Sequence, residues 1–194
     1  MNKIVLDKEN IISLCVSNDS ICNIGLDYNI KELNIKINDG VKFIINQYSE
    51  NNSILNINII QNNNSSFIYN HSFKNNKEYK LNIDVKLCGN NSKNYLNIHG
   101  VSDNSLVDVS INGSVLKNTI NNVLDEKIKL LNINNGKSKI NPNMFIDTKN
   151  VYANHSASIS TIDSNYLFYL NSKGLDNKES IDLIIDGFLN NMAR

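Results

Sequence analysis

Three histidines and three cysteines are the residue types in this chain that could ligate a metal, and His155 stands within Asn150-Val151-Tyr152-Ala153-Asn154-His155-Ser156-Ala157. A neutral imidazole is a competent metal ligand and titrates near physiological pH. The bland alternative is a histidine hydrogen-bonded within a turn. Cys88 follows a strand-like run and opens a turn, where a thiol is reachable but is more often just a small residue. Cys15 and Cys22 stand seven apart in a stretch of mixed period, and His71 and His99 match no zinc spacing, so structural roles suit all four. Three cysteines without a C-x-x-C pair fit reduced, unpaired thiols better than a disulfide framework. The sequence offers no nucleophile–base arrangement, no phosphate-cradling glycine loop and no paired catalytic carboxylates, so a non-enzymatic role is expected.

The elements that must carry these residues are read from periodicity. From Ile30 to Ile146 apolar residues alternate with polar ones: Leu33, Ile35, Ile37; Leu55, Ile57, Ile59; Leu81, Ile83, Val85, Leu87. Period two puts each set on one face of a half-buried strand. Turn clusters separate the runs, among them Asn38-Asp39-Gly40, Asn62-Asn63-Asn64-Ser65, Gly89-Asn90-Asn91-Ser92 and Asn134-Asn135-Gly136. Leu-Asn-Ile recurs from Leu33, Leu55, Leu81, Leu96 and Leu131 at irregular spacing. Such strands suit either a β-solenoid or a two-sheet antiparallel sandwich, and period alone does not separate them. One or two strands are expected in the first thirty residues, with a turn at Asn23-Ile24-Gly25-Leu26.

The tail changes period. Asp163 suits the N-cap of a short helix through Leu167–Leu170, and Gly174 suits the residue after its end. Asp176 with Glu179 has capping-box spacing, and Ile181, Ile184, Ile185, Phe188, Leu189 and Met192 make an apolar stripe beyond it. Two short helices so joined form a hairpin that either covers the end of the β-region or faces a partner. The chain divides on this reading into a β core over residues 1–160 and a helical segment over 161–194.

Composition narrows the function classes. The 194 residues carry no formal net charge, which disfavours nucleic-acid binding and a polybasic membrane anchor. No apolar run nears the roughly 18–20 residues of a membrane helix, and no secretory core follows Met1, so a cytoplasmic location is expected. About one residue in five is Asn; codon bias in an A/T-rich genome explains that more simply than asparagine ladders do.

The order Pro142, Ile146, Asp147, Val151, His155, Ala157, Ile162, Asp163, then Leu167-Phe168-Tyr169-Leu170, Ser172-Lys173-Gly174-Leu175 and Gly187-Phe188, resembles the C-terminal signature of the SufB/SufD family of iron–sulfur assembly scaffolds. The likeness is strong over the last quarter of the chain and weak over the strands. It implies a right-handed parallel β-helix, all-β with a small helical tail, and a short form without the family's N-terminal helical region. It implies a dimer built on the β core, homo- or heteromeric with a SufB/SufD-like chain. It further implies an ABC-type ATPase of the SufC type docked through Leu167, Phe168, Tyr169, Leu170, Ile184 and Phe188. His155 matches the family's interface histidine, proposed to help hold a nascent cluster, with Cys88 a further candidate. Any Fe–S cluster would be transient rather than a stable cofactor. The pattern also departs from the family. Ala153 stands where SufD-like chains often carry Cys, and Ser156 where SufB-like chains carry Glu. A SufB/SufD-like interaction protein without cluster chemistry is therefore one alternative. A carbohydrate-directed β-solenoid is another, disfavoured by the absence of Trp and the scatter of acids.

Overall fold

The computed structural model describes residues 1–190, so Met192 of the apolar stripe lies outside the described residues. Thirteen strands build two sheets, and each strand pairs in parallel with the strand two places along the chain. One sheet holds β1 (Asn2–Ile4), β3 (Ser20–Ile24), β5 (Lys42–Glu50), β7 (Ser66–Asn75), β9 (Lys93–Asp103), β11 (Asn122–Ile133) and β13 (Val151–Thr161). The other holds β2 (Ile11–Val16), β4 (Glu32–Ile37), β6 (Ile54–Gln61), β8 (Tyr79–Leu87), β10 (Leu106–Val115) and β12 (Lys137–Ile146). Each coil gives one strand to each sheet and the next coil stacks on it, which is a parallel β-helix. The uniformly parallel pairing removes the antiparallel sandwich.

Alternation in sequence becomes columns in space. Inward residues stack in register from coil to coil, as in Ile35, Ile59, Val85, Gly113 and Met144. The facing sheet has the column Cys22, Ile45, Tyr69, Leu96, Glu126 and His155. Large inward side chains fill the space between sheets, with Phe43, Phe67, Phe73 and Tyr79 fully buried. The recurrent Leu-Asn-Ile is not the repeat unit. Leu55 and Leu81 share a column, but Leu33 sits beside Ile57, and Leu96 and Leu131 lie in the other sheet.

The asparagines have structural work, contrary to the codon-bias expectation. Asn23, Asn46, Asn70 and Asn97 stack on the outer face, each amide nitrogen donating to the carbonyl oxygen below at 3.0, 2.8 and 2.9 Å. At one corner Asn64, Asn91 and Asn121 all adopt left-handed backbone, with φ of 54°, 55° and 56°, and their amides form a second ladder. Asn tolerates that region because its short polar side chain compensates locally. A parallel solenoid repeats each corner geometry, so one favourable residue type recurs at each level.

Three strands, not one or two, occupy the first thirty residues, and Asn23 and Ile24 end β3, the turn following at Leu26 and Asp27. The tail forms as expected. Helix α1 (Ser164–Ser172) starts on Asp163, whose carboxylate accepts from the Asn165 amide at 2.8 Å. Gly174 ends it with φ 94°. Helix α2 (Asn177–Asn190) begins with the reciprocal capping box: Glu179 N donates to Asp176 at 2.8 Å and Asp176 N to Glu179 at 2.9 Å. The hairpin does not cover the end of the solenoid. Instead Ile185 and Leu189 of α2 pack with outward-facing Val101, Leu131 and Ile133, Phe188 stacks on His99 at 5.3 Å, and Ser72 donates to the Leu189 carbonyl at 3.0 Å.

Candidate functional site

His155 lies in the middle of the 11-residue strand β13, not in a turn. The corner falls earlier, over Asp147–Asn150, where Thr148 donates to the Thr119 carbonyl at 2.7 Å. Register decides where the ring sits. His155 pairs with Glu126, and Glu126 belongs to the inward set Leu124, Glu126, Ile128, Leu130. His155 therefore stands on the inner face of the last coil. It is exposed because, among the described residues, no further coil covers β12 and β13. Ala153 and Ala157 flank it on the same face, leaving the imidazole clear of bulky neighbours.

Directly beneath is the least expected group in the molecule. Glu126 is fully buried, and neither carboxylate oxygen has a hydrogen-bond partner. Burial, with the nearby Asp125 charge second, pushes its carboxyl up to about 7. A buried carboxylate without donors costs several kcal/mol when ionised. Room for it comes from the opposite sheet. A Cβ on Gly113 would lie 2.5 Å from Glu126 Oε1, so the side chain crosses the interior and ends against glycine. Its neighbours in the column below, Leu96 and Tyr69, are apolar or capped. The sequence signal for it lies in Leu124-Asp125-Glu126-Lys127-Ile128, where alternation assigns the middle residue to the apolar set.

The remaining candidates are dispersed. Cys88 sits in the corner after β8, two coils below β12, and its partial burial raises the thiol above its ordinary range, Lys86 opposing this. It does not approach His155. Cys22 is buried in the core, with burial raising it to about 11, while Cys15 is exposed on β2. Among the described residues no group of three or more His, Cys, Asp or Glu is arranged to hold a metal ion. His99 faces outward under α2, donating from Nδ1 to the Phe188 carbonyl at 3.1 Å. A groove of about 680 Å³ lies on the outer face beside α2, floored by Ile21, Ile44 and the asparagine ladder, away from the inner face that carries His155.

The helical candidates divide between two faces. Phe168 is 76% exposed and Tyr169 58%, alongside exposed Tyr166 and Leu183. Leu167, Leu170 and Ile184 are half-buried. Phe188 faces the sheet and holds α2 against His99, so it anchors the hairpin instead of standing free for a partner.

A parallel β-helix ending in an exposed histidine strand and a flanking helical hairpin is thus the setting in which comparison with known proteins can be weighed. Residues 121–188 match the family described as SUF system FeS cluster assembly, SufBD core domain. The match runs from the start of β11 through Phe188, and so takes in Glu126, His155 and both helices' cores. That third of the chain is similar to the SufB/SufD core domain. It is also 30% identical over 103 residues to the iron-sulfur cluster assembly protein SufD of Bacillus subtilis (strain 168). That alignment covers 52% of this chain and 24% of the relative, so the chain spans about a quarter of the relative's length. Among the described residues no helix is long and apolar enough to cross a membrane.

Proposed function

We propose that this chain is a scaffold component of SUF-type iron–sulfur assembly, working through contact with partners and not through catalysis. The carrying observation is the match of residues 121–188 to the SufBD core domain, together with the exposed aromatic face of α1 within it. That face, around Phe168 and Tyr169, is the docking handle for an ABC-type ATPase of the SufC kind. Exposed aromatics of this kind dominate interface energetics when a partner buries them. The free edge of β13 is the surface for a second SufB/SufD-like chain. His155 on that strand is the group that a transient cluster or its iron would meet. Ala153 supplies no thiolate, so any cluster held here is held weakly.

Co-purification with a co-expressed SufC-type ATPase tests the docking. Wild type should retain the ATPase, and Phe168→Asp should lose at least tenfold of it while keeping its thermal midpoint, because α1 has no buried residue. A wild type that retains none sinks the partner claim. Phe188→Asp is the wrong probe, since it would lift α2 from the sheet.

A further inference from the structure

We infer that His99, with Ser72 beside it, is a positioning residue for partner docking: from the outer face of the sheet it fixes α2 along and about its axis, and so sets where the aromatic face of α1 points. The inference deepens the docking reading and rests on it for the partner. The latch itself is a property of this chain alone.

The hairpin meets the solenoid through one helix. Helix α1 has no buried residue and packs on α2, while α2 lays Ile185 and Leu189 on Val101, Leu131 and Ile133. Apolar contact is non-directional, so by itself it lets a helix slide or roll. Shape does not stop such a slide either, because the groove lined by Leu189 and Asn190 offers a further apolar floor in Ile21 and Ile44. Direction comes from two hydrogen bonds to successive carbonyls in the last described turn. His99 Nδ1 donates to the Phe188 carbonyl at 3.1 Å, and Ser72 Oγ donates to the Leu189 carbonyl at 3.0 Å. The two donors are register partners on β7 and β9, so the stacking of coils sets their spacing. The His99 ring also stacks on Phe188, with centroids 5.3 Å apart and planes inclined by 26°. One imidazole thus holds both the backbone and the side chain of the same helical residue.

This bond constrains the proton inventory. It requires hydrogen on Nδ1, which leaves Nε2 bare in the neutral ring. Burial holds the imidazole below the ordinary histidine range; the Phe188 carbonyl opposes this, and the ammonium of Lys129, its register partner on β11, adds to it. The other elements around the ring bring Ser72 from β7, Tyr48 from β5 two coils down with its hydroxyl donated to Glu50, and Asp186 from α2, whose charge acts on Tyr48. A seated ring therefore takes up a proton less readily than a free one. The seat is complete above the ordinary histidine pKa and weakens as pH falls below about 6.5.

Hydrogen exchange of the α2 amides in the whole chain reads the seat without any partner, and the β8 amides serve as reference for the core. At pH 7.5 His99→Leu should lower α2 protection about tenfold, the scale of one lost hydrogen bond. It should cut retention of a co-expressed SufC-type ATPase by a similar factor, with the thermal midpoint unchanged. His99→Asn, whose amide donates from the place of Nδ1 and does not titrate, should keep both. At pH 5.5 wild type should lose α2 protection and ATPase retention relative to His99→Asn. Unchanged α2 protection in His99→Leu, or equal behaviour of wild type and His99→Asn at pH 5.5, overturns the assignment. Full ATPase retention by a His99→Leu chain whose α2 has loosened overturns the positioning role. A wild type that never retains the ATPase, yet loses α2 protection on His99→Leu, leaves the latch standing and sinks the docking reading.

Discussion

Burial of His71 sets up an acid-side instability that can be worked out in sign. Tyr69 donates its hydroxyl proton to Gln47 at 2.6 Å, so its oxygen must accept from His71 Nδ1 at 3.0 Å, and Ser49 donates to Nε2 at 3.1 Å. The ring is therefore neutral, and burial holds its pKa down at about 3. Between pH 6.5 and 3 the unfolded chain takes up a proton that the native chain refuses. Stability from this group is complete above pH 6.5 and declines as pH falls, by roughly 3–5 kcal/mol at the acid end. Glu126 slopes the other way: its raised carboxyl keeps a proton in the native state between the ordinary carboxylate range and pH 7, so its contribution fades as pH rises through that window. His71→Gln should flatten the acid-side loss while lowering stability at neutral pH. Urea midpoints at pH 4, 5.5 and 7.5 check this, and parallel profiles for the two proteins would refute it. Both residues sit on strands whose inward parity was legible from the alternation. What could not be read was that a polar residue at such a position would be either fully partnered, as His71 is, or orphaned, as Glu126 is. That depends on which side chains stand one coil away, some 22 to 30 residues off in sequence.

Elements were easier to read where the signal is local. Both helix starts and the Gly174 end follow from capping chemistry confined to four residues, and the structure reproduces each hydrogen bond. Strand alternation likewise needs only neighbours. The asparagine ladders were illegible for the opposite reason, since each rung joins residues 23 to 27 apart and the interval changes from coil to coil. The seat of the hairpin was also hidden: α2 finds outward-facing Val101, Leu131 and Ile133, which break the polar habit of the outer face, but only register shows them adjacent. Ladder rungs near the surface should each be worth about 0.5–1.5 kcal/mol. Asn70 both donates to Asn46 and accepts from Asn97. Asn70→Ala should therefore cost about 1–2 kcal/mol in urea denaturation. Asn143→Ala, which ends its row on β12 with a single 3.1 Å bond, should cost less than half as much. Equal losses would mean that the ladder is not cooperative support for the stack.

At the scale of the whole molecule the two ends of the last coil are unequal. Strand β12 carries Pro142, the chain's single proline, in its middle. A proline removes a ladder donor and belongs on an edge whose outer side stays unpaired. Strand β13 has 11 residues and no proline, and its inner face carries Ala153, His155, Ala157 and Ile159, with Ile159 46% exposed. An unblunted edge of that length is an aggregation hazard unless something pairs with it. The proposed occupant is a second SufB/SufD-like chain, so β12 is built to stay free while β13 is built to be met. Ile159→Lys puts a charge on the β13 inner face, and Ile146→Lys is the matching change beside the blunted edge of β12. Sedimentation velocity should find wild type and Ile146→Lys as dimers, or as a complex with a co-expressed SufB/SufD-like partner, and Ile159→Lys as a monomer of unchanged thermal midpoint. Dissociation by Ile146→Lys with Ile159→Lys still paired would place the interface on the other edge.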